Sequence, residues 1–223
     1  MTKKTGKEIE IKRIDHRGYT GLLTGVSELL EQARHAAARS VNQILTATYW
    51  EIGRRIVDFE QQGARRAEYG VNLLQRLAKD LSARFGRGFG YSNLNLFRQF
   101  YLTYYDHRPI LQSVTGESLT PLATPLNHPL HQEFILSWTH YVRLLPLEEK
   151  AKRNFYEEEA RRAGWSVRQL NRQINSMLYE RVALSKKKGE LLKQAEGSGN
   201  HITAEEAIKD PYVLEFLGLP ELI

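Results

Sequence analysis

An all-α or predominantly α fold, a helical bundle with two helix-turn-helix-like units, is what three features of this 223-residue sequence predict. Apolar residues recur at three- and four-residue spacing over long stretches, the period of a helix face. Glycine turns and capping boxes cut those stretches into elements. One helix, glycine turn, helix pattern occurs twice.

The elements follow in order. Residues 1–20 read as a flexible arm, in which Glu8-Ile9-Glu10-Ile11-Lys12 could alternate as one short strand. A long helical region begins near Val26 or Ser27 and runs towards Gln61, as one helix or two. Val41, Leu45, Thr48, Ile52, Ile56 and Phe59 form its apolar face. That face suits the core, and the alternative is a seam for dimerisation. Gln61-Gln62-Gly63 ends it. A second helix from about Arg66 to Phe85 places Leu73, Leu74, Leu77 and Leu81 together, and a third runs from about Tyr91 to Tyr104 after the turn Gly86-Arg87-Gly88-Phe89-Gly90. Residues 21–105 thus contain the first unit. Pro109, Pro121, Pro125 and Pro129 make 106–131 the candidate linker.

Residues 132–195 contain the second unit. A helix from about His131 reaches Leu145. Pro146 suits the first position of the next helix, with Glu148 and Glu149 in its first turn. Gly164 stops that helix near Ala163, and Ser166 with Gln169 forms a capping box for a helix to about Leu184. Gly197-Ser198-Gly199-Asn200 is a break, and Thr203 with Glu206 caps a last short helix.

Composition narrows the chemistry. There are no cysteines, which excludes disulfides, Cys-ligated zinc, iron–sulfur clusters and a thiol nucleophile. The N-terminus is charged, without the apolar run of a secretory signal, and no stretch approaches the ~20 apolar residues of a membrane span. The expected compartment is the cytoplasm. None of the seven histidines pairs with another at metal-ligand spacing on a helix, His128 and His131 lying in a proline-rich loop, and the glycine-rich turn at 86–90 follows no strand, so neither a metal nor a cofactor is expected. Glu10-Ile11-Lys12 has the Glu-x-Lys spacing of a Mg²⁺-dependent nuclease but no acid-bearing hairpin before it, and Glu148-Glu149-Lys150 has the spacing on a helix start. No catalytic residue is assigned.

The net charge of +6 mildly favours a polyanion. Its distribution says more. From Lys150 to Lys193 twelve Lys/Arg stand against five Glu, whereas from Gln194 to Ile223 six acids stand against Lys209. The repeated pattern falls partly in the basic stretch. Ala83-Arg84 leads through a glycine turn to Phe89-Gly90-Tyr91-Ser92-Asn93-Leu94-Asn95; Ala160-Arg161 leads through Gly164 to Trp165-Ser166-Val167-Arg168-Gln169-Leu170-Asn171, with Trp165 76 residues after Phe89. In a DNA-binding unit of this shape the second helix enters the major groove. Arg168, Gln169, Arg172 and Gln173 are the candidate base or groove contacts; Arg161, Arg162, Lys186, Lys187 and Lys188 are the candidate phosphate contacts. Ser92, Asn93, Arg98 and Gln99 are the first-copy counterparts. The same geometry also occurs in plain bundles. Tyr49, Trp50, Trp138, Tyr141, Phe155, Tyr156 and Trp165 recur at helical spacing, which assigns them to the core rather than to a stacking platform for single strands.

Several strings together resemble one family. Tyr49-Trp50-Glu51-Ile52-Gly53-Arg54-Arg55-Ile56-Val57, Phe85-Gly86-Arg87-Gly88-Phe89, Arg98-Gln99-Phe100-Tyr101, Leu136-Ser137-Trp138-Thr139-His140-Tyr141, Phe155-Tyr156-Glu157-Glu158-Glu159-Ala160 and Gly164-Trp165-Ser166-Val167-Arg168-Gln169-Leu170 look like the N-terminal, non-catalytic region of the YhcG-type PD-(D/E)XK nucleases. The resemblance covers about residues 25–195. It implies a winged-helix-like domain ahead of a nuclease domain, with Asp210-Pro211-Tyr212-Val213-Leu214-Glu215-Phe216-Leu217 leading into that missing second domain; residues 196–223 are then an acidic tail at its start. The catalytic Asp, Glu and Lys have no counterparts, and Gly90 stands where a serine cap is expected. The expected function is a DNA-binding and assembly module, with DNA preferred over RNA as partner. A homodimer or a separate nuclease subunit are further partners. The alternative is an interaction or dimerisation module without nucleic-acid binding.

Overall fold

The computed structural model describes residues 16–62, 67–105, 134–196 and 210–218, and these form nine α-helices with no strand among them. The predominantly α reading holds at this level, and the wing implied by the resemblance has no β-strand counterpart in the described residues. The short strand at 8–12, the proline-rich linker and the Thr203–Glu206 capping box lie outside them.

The first half is built on one crossing. Helix α1 (His16–Gln62) is a single helix of 47 residues that starts about ten residues before its predicted start. Helix α2 (Ala67–Phe85) and α3 (Tyr91–Thr103), joined by a 3-10 turn at Arg87–Phe89, match their predicted spans closely. Helix α3 buries Leu94, Phe97, Phe100 and Tyr101 against α1. The two helices approach so closely at Gly53 that a Cβ there would lie 2.0 Å from the Phe97 carbonyl oxygen. On either side of that contact Tyr49 stacks on Phe97 at 4.0 Å, and Trp50 meets Tyr101 edge-on at 5.0 Å. The Trp50 indole N–H donates to the Tyr104 carbonyl at 3.2 Å.

The second half is shorter-stepped than its sequence suggests. Helix α4 (Trp138–Leu144) begins after Ser137, because residues 134–137 are already non-helical. Pro146 sits in the turn that follows rather than opening a helix. Helix α5 (Lys150–Ala163) starts four residues later, where Arg153 turns back to donate to the Leu147 carbonyl at 2.7 Å. The predicted helix from Ser166 to Leu184 is two helices, α6 (Val167–Asn175) and α7 (Leu178–Leu184). Met177 breaks it in the left-handed region at φ 51°, a position no side-chain pattern announces. Such a conformation costs a bulky residue roughly 1–2 kcal/mol. Met177 is exposed, so Met177→Gly is expected to stabilise the fold by about 1 kcal/mol in denaturant unfolding. No gain would mean that the turn is held by something other than its own backbone preference.

Helix α8 (Lys188–Glu196) follows α7, and α9 (Pro211–Leu217) returns to the first half. Asp210 caps α9 through the Tyr212 N–H at 2.9 Å and also accepts from Thr139 on α4. Val213 and Leu214 are buried, Tyr212 meets Trp138, Phe216 meets Tyr49, and the Glu215 side chain covers Gly88. The segment expected to lead into a further domain is therefore packed into this one. Trp138 sits among Tyr49, Phe97 and Phe100, and Tyr141 packs on Phe100, so α1, α3, α4 and α9 share one aromatic core.

Candidate nucleic-acid interface

The second unit consists of α5, the turn at Gly164 and α6. Gly164 takes φ 62° and ψ 36°, the left-handed cap that glycine adopts without a Cβ penalty. The N–H groups of Gly164 and Trp165 both donate to the Ala160 carbonyl. Ser166 then caps α6, its hydroxyl accepting from the Gln169 N–H at 3.3 Å, as the capping box predicts. Trp165 and Leu170 are buried beside the turn.

One histidine fixes that turn from outside. His140 on α4 lies 2.9 Å through Nε2 from the Trp165 carbonyl and 2.7 Å through Nδ1 from the Ser137 hydroxyl. A carbonyl only accepts, so Nε2 carries the proton and Nδ1 accepts from Ser137. The ring is neutral. Burial pushes its pKa below the ordinary value, against the opposing pull of the Trp165 carbonyl and of Asp210. Residue spacing gave no sign of this role, because its partners are a backbone carbonyl 25 residues on and a neighbouring serine. A histidine held neutral by the fold loses stability as pH falls: the unfolded state takes up the proton first, from about pH 6.5 downward. The midpoint of thermal unfolding is expected to drop between pH 7.5 and 5.5, and to drop less in His140→Gln. Parallel pH profiles for the two proteins would count against this role.

The orientation of α6 sorts the candidate contacts. Gln169 and Gln173 are both 6% exposed and face the body; the Gln173 carbonyl accepts from the Tyr156 hydroxyl at 3.3 Å. The opposite face presents Arg168, Arg172 and Asn175, all exposed at i, i+4 and i+7. Neither arginine has a hydrogen-bond or ion-pair partner among the described residues. The neighbouring cations differ. Arg161 pairs with Glu158 at 2.6 Å, and Arg162 bridges Glu159 at 2.6 Å and Glu196, tying α5 to α8. Lys187 is 3.2 Å from Glu190, while Lys186 and Lys188 stand exposed.

The first copy is built differently. Gly90 opens α3 without a side-chain cap, the asymmetry that the sequence shows between Gly90 and Ser166. Asn93 donates to the Gly88 carbonyl at 3.0 Å, closing its own turn, and Arg98 reaches Glu60 on α1 at 2.8 Å. Ser92 and Gln99 are exposed. The two copies do not bring their polar side chains to equivalent use: in the first Asn93 closes its own turn and Arg98 ties α3 to α1, and in the second the arginines are left outside. The aromatic residues that could have stacked bases are core instead; Tyr49, Trp50, Trp138, Tyr141, Tyr156 and Trp165 are all buried. Among the described residues no group of acids and histidines could hold a metal, and no helix is long and apolar enough to cross a membrane.

Comparison with known proteins fits the strings quoted above. No solved structure matches. A curated protein of Escherichia coli (strain K12), described as "Putative nuclease YhcG", is 45% identical over 216 residues, covering 92% of this chain and 57% of that protein. The chain thus spans little more than half the length of this relative. The family model described as the DUF1016 N-terminal domain matches residues 25–181, which include the α1–α3 crossing, the His140 contact and both copies of the repeated sequence pattern. On that match and that identity, this chain belongs to the DUF1016 N-terminal domain family.

Proposed function

We propose that the chain is a DNA-binding module that positions a PD-(D/E)XK nuclease domain on its substrate, with α6 as the element that meets the duplex. The observation carrying this reading is the outer face of α6, where Arg168 and Arg172 are exposed, with no carboxylate partner among the described residues, on a helix whose other face is locked by Leu170, Gln169 and Gln173. A guanidinium without a carboxylate partner is free to contact phosphate or the edge of guanine. Lys186 and Lys188 supply further phosphate contacts, and Asn175 extends the polar row. Arg161, Arg162 and Lys187 contribute less, since each must first exchange a carboxylate for phosphate. The name of the relative adds a nuclease context for this module.

Fluorescence anisotropy of a labelled duplex, titrated with the chain at several salt concentrations, tests the reading. Four phosphate contacts would give a log–log salt slope of roughly −3 to −4. Absence of binding at low salt would return the α6 arginines to the status of a solvated helix face.

A further inference from the structure

We propose that the first half of α1 pairs antiparallel with the same segment of a second copy of this chain. From Gly18 to Ala37 every residue of α1 is exposed; burial begins at Ala38. Yet the segment is not polar. Tyr19, Leu22, Leu23, Val26, Leu29 and Leu30 are all exposed, with Leu22 and Leu29 each at 65%. Soluble monomers seldom leave so contiguous an apolar stripe uncovered.

The stripe has a seven-residue period. Tyr19, Val26 and Ala33 fall on one position of the repeat, and Leu22, Leu29 and Ala36 on the position three residues later. Leu23, Leu30 and Ala37 flank them on one side; Gly18, Gly25 and Gln32 flank them on the other. No charge occupies any of these positions, so neither DNA nor an acidic peptide suits this face. An apolar helix does. Gly18, Gly21 and Gly25 also lower the intrinsic helicity of the arm, by about 1 kcal/mol each relative to alanine, so tertiary or quaternary packing has to hold it helical.

The arm is complementary to itself in one direction. Antiparallel pairing, with the two repeat positions facing each other, sets Tyr19 against Ala36, Leu22 against Ala33, and Val26 against Leu29 of the second copy. Leu23 then flanks Leu30. At each end of the pair a large residue meets an alanine, and at the centre valine meets leucine. A parallel pair would instead stack Tyr on Tyr at one end and Ala on Ala at the other. The antiparallel register also brings Gly18 opposite Ala37, so the two exposed segments overlap end to end and neither runs into the buried part of its partner. Burying a Leu or Val side chain removes on the order of 100 Å². Six such residues from each copy reach the ~1,000 Å² of a specific interface. The seam differs from the face at Leu45 and Ile56, which packs into the core of the same chain.

The test uses the whole chain. Light scattering across the micromolar range is expected to report a dimer, and Leu29→Glu to raise its dissociation constant at least about 100-fold. The near-ultraviolet signal of the buried Trp50, Trp138 and Trp165 serves as the check on folding. Because the chain has no cysteine, Leu22→Cys and Ala33→Cys can be made singly and mixed. A disulfide joining one chain of each kind, with little cross-linking of Leu22→Cys alone, supports the register; this readout decides the matter if Leu29→Glu fails to fold. A wild-type monomer overturns the proposal, including the case in which another segment of the same chain covers the seam. Self-cross-linking of Leu22→Cys, or a folded Leu29→Glu that remains dimeric, overturns it as well. None of these outcomes depends on DNA binding.

Discussion

Gly53→Ala is expected to cost about 3 kcal/mol or more of folding stability. The added methyl would sit 2.0 Å from the Phe97 carbonyl oxygen, 2.7 Å from its carbon and 3.0 Å from Tyr101 Cβ. Two of those three atoms are backbone, so no rotamer change relieves the contact and the helices must separate. Separation is costly because aromatic pairs flank the contact: Tyr49 on Phe97 at 4.0 Å, and Trp50 against Tyr101 at 5.0 Å. Overpacking of a core typically costs 1–3 kcal/mol, and a rigid backbone obstacle places this case at or above the upper end. A fold of ordinary stability, 5–15 kcal/mol, would lose a large share. Gly21→Ala is the matched control: it lies in the same helix with nothing within 4 Å of its would-be methyl, and should gain up to about 1 kcal/mol from helix propensity. Denaturant unfolding followed by tryptophan fluorescence compares them. A Gly53→Ala protein within 1 kcal/mol of the parent would mean that α1 and α3 pack less closely than described.

That contact also marks where sequence reading stops. The α1 apolar face, the spans of α2 and α3, the Gly164 turn and the Ser166 cap are local signals, and each is visible as a spacing or a residue type. The importance of Gly53 is not, since a glycine inside a helical pattern reads as a weakness until its neighbour across the crossing is known. The break at Met177 is illegible for a related reason. Its left-handed backbone interrupts a stretch whose composition suits one continuous helix. Pro146 illustrates the opposite error: a favourable first-turn residue does not start a helix when the chain is held in a turn by Arg153 reaching Leu147. On α6 the residue types suggested four polar contacts, but sequence alone did not phase the helix. Gln169 and Gln173 proved to be one face and Arg168 and Arg172 another, a division set by the packing of α6 against the body.

Replacing Arg168 and Arg172 together with alanine is expected to weaken duplex binding by roughly 10–100-fold at moderate salt, about 1.4–2.7 kcal/mol. The salt slope should fall by about two units if both contact phosphate, and by less if one reads a base edge. Folding should be little changed, because both side chains are exposed and make no hydrogen bond or ion pair among the described residues. The control must be chosen with the structure in view. Arg54 and Arg55 look equivalent in sequence but are not: Arg54 holds Glu51 at 2.6 Å and also Asp58, and Arg55 reaches the same Glu51 at 3.0 Å. Burial alone would push the Glu51 carboxyl up, and these guanidiniums bring it below the ordinary range. Removing them would strand a half-buried carboxylate and confuse lost stability with lost binding. Arg76 and Lys79 on α2 are exposed, have no such ties among the described residues, and remove the same charge. Affinity that falls equally for the α2 pair and the α6 pair would show that only net charge matters, and the assignment of α6 would be lost. A fall confined to Arg168 and Arg172 would tie affinity to one face of one helix. Single alanine variants would then separate phosphate contact from base reading, since only the latter changes the preferred sequence.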